Sequence, residues 1–152
     1  MKKPLFTGSG VAIVTPFTKE TVDLPTLGKL LDFQMKTAPT HHRLRHHRRG
    51  QHHELPGADA DHRVLCGPRG RALPVIAGTG SNSTENALAL SRDAERAGAD
   101  GLLLVTPTTT RPAKPLIRHF QVIADGVDVP LILYDVPSRT GVTIAPETYA
   151  EL

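Results

Sequence analysis

Four short apolar runs punctuate an otherwise mixed chain: Val11-Ala12-Ile13-Val14, Pro74-Val75-Ile76-Ala77, Leu102-Leu103-Leu104-Val105 and Pro130-Leu131-Ile132-Leu133. Each leads into turn chemistry: Thr15-Pro16, Gly78-Thr79-Gly80, Thr106-Pro107 and a turn built on Pro137. Their apolar residues are continuous rather than alternating, the pattern of strands covered on both faces. Residues 11–14, 74–77, 102–105 and 130–133 are therefore predicted to be adjacent parallel strands of one sheet.

Between the runs the periodicity changes. Leu27, Leu30, Leu31 and Met35 follow the i, i+3, i+4 spacing of a one-sided helix over 24–35. Ser83-Thr84-Glu85-Asn86 opens a second helix, with Ala87, Leu88, Leu90, Ala94 and Ala97 inside it and Gly98 as its stop. A third runs from Leu116 to Ala124 and ends at Gly126, and Ile144 to Leu152 starts another. Strands spaced by helices make this an α/β chain with a parallel sheet.

The candidate chemistry lies in Tyr134-Asp135-Val136-Pro137-Ser138-Arg139-Thr140-Gly141. In β/α proteins the C-terminal end of a strand is where active-site residues gather. A phenol and a guanidinium delivered there suit proton transfer beside an anionic substrate. Taken alone, the same stretch fits a core tyrosine and a surface arginine equally well.

Three pieces of the chain, Gly8 to Phe17, Pro74 to Asn82 and Tyr134 to Gly141, resemble the dihydrodipicolinate synthases. That family belongs to the pyruvate-dependent class I aldolases, together with the N-acetylneuraminate lyases. The resemblance covers residues 5–36, 74–107 and 116–152. It implies a (β/α)8 TIM barrel and a cytoplasmic lyase of lysine and diaminopimelate biosynthesis. Such an enzyme condenses pyruvate with aspartate semialdehyde through a lysine Schiff base, needs no metal or organic cofactor, and works as a homotetramer. By resemblance, Tyr134 relays protons to and from the Schiff base and Arg139 binds the carboxylate of the aldehyde. Asn82 matches a position of the family's lysine feedback site, whose usual acidic companion is here Asn86. A sugar-acid aldolase of the same superfamily is the alternative, and Arg139 within Ser138-Arg139-Thr140-Gly141 favours the synthase.

With 152 residues the chain is of one-domain size, whereas a complete barrel takes about 250. The expected architecture is a truncated half-barrel over 1–152, with strands one, three, four and five readable and the second altered. The Schiff-base lysine is expected beyond Leu152, so none of the lysines present fills that role. Lys2 and Lys3 precede only a short mixed segment, unlike a signal peptide. No apolar run approaches the roughly 20 residues of a membrane span. The single cysteine, Cys66, excludes an internal disulfide framework and fits a reducing compartment.

The net charge of +3 matters less than its distribution. Seven of the eight histidines lie between His41 and His62, and seven of the twelve arginines between Arg43 and Arg71. This tract has neither helical nor strand periodicity. It fits a metal-binding segment, a basic nucleic-acid arm of a non-catalytic module, or a stretch translated out of frame. In GC-rich codons, His41 to His53 read one base on gives Thr-Ile-Val-Cys-Gly-Thr-Thr-Gly-Glu-Ala-Ser-Thr-Met, the family's second strand and following loop. Thr108 to Pro115, shifted by one base, begins Tyr-Tyr-Asn, the family's continuation after the Thr-Pro of its fourth strand. Residues 38–72 and 108–115 are therefore expected to be out of frame, and 38–72 to be irregular or poorly packed. On that reading His46 and His47 occupy the positions of two active-site threonines. Thr109 occupies that of a second relay tyrosine, normally lent by a neighbouring subunit. No nucleic-acid or membrane partner is then expected.

Overall fold

A computed structural model of the chain describes residues 9–19, 21–37, 42–46, 74–108 and 113–152. Ten elements follow in order. They are β1 (Ser9–Ile13), α1 (Leu24–Thr37), β2 (His42–His46), β3 (Val75–Gly78), α2 (Thr84–Arg96), β4 (Gly101–Val105), α3 (Ala113–Ala124), β5 (Leu131–Tyr134), α4 (Pro137–Thr140) and α5 (Pro146–Glu151). The five strands form one parallel sheet in sequence order, β1-β2-β3-β4-β5. Among the described residues no helix is long and apolar enough to cross a membrane.

The four expected strands are present, each within two residues of its predicted bounds. The expected adjacency of all four fails, and so does the irregular half of the expectation for 38–72. Residues 42–46 are not irregular: they form β2, and β1 and β3 are therefore not adjacent. Five residues of β2 pair with β1, from Ser9↔His42 to Ile13↔His46, and three pair with β3. Ladder hydrogen bonds join backbone groups whatever the side chain. A strand inserted between β1 and β3 satisfies both neighbours even when its sequence is His-Arg-Leu-Arg-His. The other residues of the 38–72 stretch lie outside the described residues.

Alternation along the strands divides the side chains into two sets. The residues packed against helices all belong to one set: Ile13 on β1, Val75 and Ala77 on β3, Leu102 and Leu104 on β4, Leu131 and Leu133 on β5. Ile13 and Val75 meet Leu27 and Leu31 of α1. Ala77 and Leu102 meet Ala94 of α2, and Leu104 meets Leu116, Phe120 and Ile123 of α3. The described helices thus cover one face of the sheet, as on the outside of a barrel. Ala12, Val14, Ile76, Leu103, Ile132 and Tyr134 belong to the other set.

Local chemistry explains the helix boundaries. Ser83 caps α2, its Oγ accepting the Asn86 N–H at 3.3 Å. Gly98, with φ 96°, ends that helix in the left-handed region. Asp23 caps α1, accepting the Thr26 N–H at 3.0 Å and the Thr26 hydroxyl at 2.7 Å, which holds its carboxyl below the usual range. Helix α3 begins at Ala113, three residues before the expected start, with Pro115 tolerated in its first turn. At the N-terminal edge of the sheet, α2 and the turn after it staple the strands. Glu95 accepts the N–H groups of Asp128 and Val129 at 2.7 and 3.2 Å, and Asp100 accepts that of Val75 at 2.8 Å.

His119 of α3 is buried, with Nδ1 2.8 Å from the Thr84 hydroxyl at the start of α2. Burial pushes its pKa below the ordinary 6.5, so the folded chain holds the neutral ring. Stability should be undiminished above about pH 6.5. As pH falls below that value the unfolded chain takes up a proton that the folded one resists, and stability declines until the folded value is passed. Urea midpoints between about pH 5 and 7 are expected to show this slope and to lose it in His119→Gln. An unchanged slope in the variant would assign the dependence elsewhere.

Candidate functional site

A parallel sheet brings all its C-terminal strand ends to one side. Here those ends carry Thr15 after β1, His46 at the end of β2, Thr79 and Gly80 after β3, Thr106 and Pro107 after β4, and Tyr134 at the end of β5. The Thr79 N–H bonds the Leu103 carbonyl at 3.1 Å and the Thr106 N–H bonds the Tyr134 carbonyl at 3.3 Å. The ladder therefore continues one residue past β3 and β4, and fixes the backbone at Tyr134. Its side chain is half-buried and belongs to the set opposite the helices.

The turns beyond the strands are tied to one another. The Asn82 side-chain oxygen accepts both the N–H and the hydroxyl of Thr108, at 2.9 and 3.1 Å, joining the loop after β3 to the loop after β4. Ser91 of α2 donates to the Thr79 hydroxyl at 2.9 Å in the interior. Gly80 lets the segment after β3 approach the end of β4 closely, because a Cβ there would lie 2.6 Å from the Val105 nitrogen. The hydroxyls of Thr15 and Thr106 are shielded from solvent and have no hydrogen-bond partner among the described residues. Both follow an apolar strand and precede a proline. That repeated Thr-Pro is visible in the sequence, where it reads as punctuation and not as site chemistry.

Arg139 lies five residues beyond Tyr134, on the single turn of α4. Pro137 at the start of α4 supplies a fixed φ and lacks the N–H that a first turn leaves unpaired. The Thr140 hydroxyl donates to the Val136 and Val142 carbonyls, each at 3.1 Å. Gly141, with φ 66°, ends the turn and returns its N–H to the Pro137 carbonyl at 2.9 Å. This short helix is absent from the sequence reading, which has only a turn at Pro137. Four residues are too few to show a period. The Arg139 guanidinium is exposed and makes no hydrogen bond or ion pair among the described residues.

Asp135, also missed from sequence, closes the excursion. Its Oδ2 accepts the Ile144 N–H at 3.0 Å, while Oδ1 is shielded without a partner among the described residues. Burial and the charge of Asp135 raise the pKa of Tyr149 on α5 above its ordinary value. Tyr134 ends β5 and Arg139 follows it on α4, beyond the C-terminal end of that strand. His46 is the last residue of β2, aligned with Ile13 and Ala77. His47 and Thr109 lie outside the described residues. The described lysines, Lys19, Lys29, Lys36 and Lys114, are exposed, and none ends a strand. Among the described residues no group of three or more His, Cys, Asp or Glu could hold a metal ion.

Two glycines separate crowding from backbone strain. Gly80→Ala should cost about 1–3 kcal/mol through overpacking and speed amide exchange at Thr79. Gly141→Ala, with open space around it, should cost about 1–2 kcal/mol through its left-handed backbone alone. Urea denaturation with residue-resolved exchange checks both. Equal effects of the two at Thr79 would contradict the close approach.

Comparisons place these features among known proteins. The family model described as the dihydrodipicolinate synthetase family matches residues 69–152. The chain is 47% identical over 159 residues to a 4-hydroxy-tetrahydrodipicolinate synthase of Geobacter sulfurreducens, covering 97% of this chain and 52% of the relative. Among solved structures, that of the 4-hydroxy-tetrahydrodipicolinate synthase from Methylacidiphilum fumariolicum SolV superimposes with a TM-score of 0.83 at 34% identity, over 93% of this chain and 48% of that one. The chloride-inhibited dihydrodipicolinate synthase of Acinetobacter baumannii, complexed with pyruvate, matches with a TM-score of 0.83 at 29% identity, over 95% and 50%. The chain spans about half the length of the curated relatives it matches.

Proposed function

Because the chain belongs to the dihydrodipicolinate synthetase family, we propose that it derives from a 4-hydroxy-tetrahydrodipicolinate synthase. This is a cytoplasmic lyase of lysine and diaminopimelate biosynthesis, acting as a homotetramer. The reaction joins pyruvate, held as a lysine enamine, to aspartate semialdehyde. Tyr134 moves the protons of imine formation and release, and Arg139 holds the carboxylate of the aldehyde by a charge-assisted contact. The observation that carries the reading is the run from Tyr134 to Gly141: a tyrosine fixed at a strand's C-terminal end, then an uncommitted arginine on a self-bonded turn. Arg139 favours this substrate over a sugar acid. The positions His46, His47 and Thr109 stand where the family has two threonines and a tyrosine.

The out-of-frame reading of 38–72 and 108–115 belongs to the same proposal. For 38–72 the support is the start of the family-model match at residue 69, close to the end of the histidine and arginine tract, whereas 108–115 lies within the match and the strand at His42–His46 counts against the reading. Resequencing the gene around Thr37, Cys66 to Arg71 and Thr108 tests it directly.

The 152 residues, having no lysine at a described strand end, should show no mass increase after incubation with pyruvate and borohydride. A pyruvyl adduct on any of their lysines overturns this. With the frame restored and the chain extended to the relatives' length, the imine should form. In that protein Tyr134→Phe should lower kcat by roughly 10²–10⁴-fold. Arg139→Ala should mainly raise KM for the aldehyde and spare the pyruvate imine. Full activity in Tyr134→Phe, or loss of the imine in Arg139→Ala, would show the roles to be wrong.

A further inference from the structure

We propose that Asp135 is a positioning residue for Arg139, an assignment that rests on the substrate-binding role proposed for that arginine. Among the described residues the guanidinium has no side-chain partner, and the backbone that carries it sets its position there. That backbone forms an excursion from the end of β5 to Ile144. Within it, Thr140 and Gly141 tie residues 136–142 to one another and so give the turn its shape. None of these bonds reaches Tyr134 or Ile144. Val142 and Ile144 anchor the return in the core beside Leu104 and Phe120. Apolar contact is non-directional, however, and fixes depth better than rotation. The bond from Asp135 Oδ2 to the Ile144 N–H, at 3.0 Å, links the residue after Tyr134 to the residue where the excursion ends. It sets the turn's tilt relative to the tyrosine.

The unpaired Oδ1 supports this division of labour. A shielded carboxylate oxygen without a donor is unfavourable. Among the described residues the Ile144 N–H is the one hydrogen-bond partner of this carboxylate. Arg139 and Tyr134 are then held in a fixed relation by a group that touches neither substrate.

The test uses the 152-residue chain, labelled with ¹⁵N, without pyruvate or any assay of activity. Asp135→Ala should raise amide exchange at Ile144 by about tenfold or more, the range of one lost hydrogen bond in a local opening. It should also shift the Arg139 backbone and Nε signals, with Leu104 and Ile123 still protected. Asp135→Asn keeps an acceptor and should restore both readings. If the alanine variant loses its core protection, Asp135→Glu serves instead: it moves the carboxylate by one methylene and should displace the Arg139 signals in a folded chain. Faster exchange at Ile144 with unmoved Arg139 signals would make Asp135 merely structural and overturn the proposal, as would failure of Asp135→Asn to restore them. Because Arg139 is read directly, that failure is distinct from loss of its substrate-binding role, which only the KM of the extended enzyme reports.

Discussion

Parallel pairing of successive strands is the constraint from which the remaining structure follows. Once β1 to β5 run the same way, each connection must cross back over the sheet, and the helices α1, α2 and α3 do so on one face. Every strand then finishes on the same side. Tyr134, Thr106, Thr79 and Thr15 lie along one edge of the sheet because of this polarity and not because they attract one another. The same pairing explains β2. A ladder open on two sides accepts a histidine and arginine segment, since the backbone groups it must satisfy are the same for any residue but proline.

Much of this was legible in the chain because burial is written into it residue by residue. Leu102 to Val105 must be apolar on both sides to sit between β3 and β5, and a run of four such residues has no better use. Ser83 and Gly98 announce the ends of α2 by chemistry that acts within four residues. What was hidden acts at a distance or without a pattern. The bond between Asp135 and Ile144 spans nine residues, and neither partner looks unusual alone. Nothing in His42–His46 signals a strand, because the ladders on either side supply the reason for it. Tyr134 and Arg139 were found through likeness to a family. Their residue types alone left a core tyrosine and a surface arginine as an equal reading.

The site divides into rigid and uncommitted groups. Backbone bonds, the Gly80 contact and the Asn82 bridge fix the strand ends. The guanidinium of Arg139 and the hydroxyls of Thr15 and Thr106 keep their hydrogen-bonding capacity unspent among the described residues. Such spare capacity on a rigid frame is what a small polar ligand requires, since ordering the groups has been done by folding.

The stapling bonds at the edges of the sheet also bear on how the chain assembles. Asp100 reaches back 25 residues to Val75, Asn82 forward 26 to Thr108, and Arg92 and Glu95 forward 34 to Gly126 and Val129. The first two each close one strand–helix–strand unit, the last two join α2 to the segment after α3 across β4, and none skips to a distant unit. The entropy of closing a loop grows only slowly with its length, so these closures cost similar amounts. Each parallel pair must close a loop of about one strand and one helix before it forms, so the order of assembly follows the chain, from unit to adjacent unit along β3, β4 and β5.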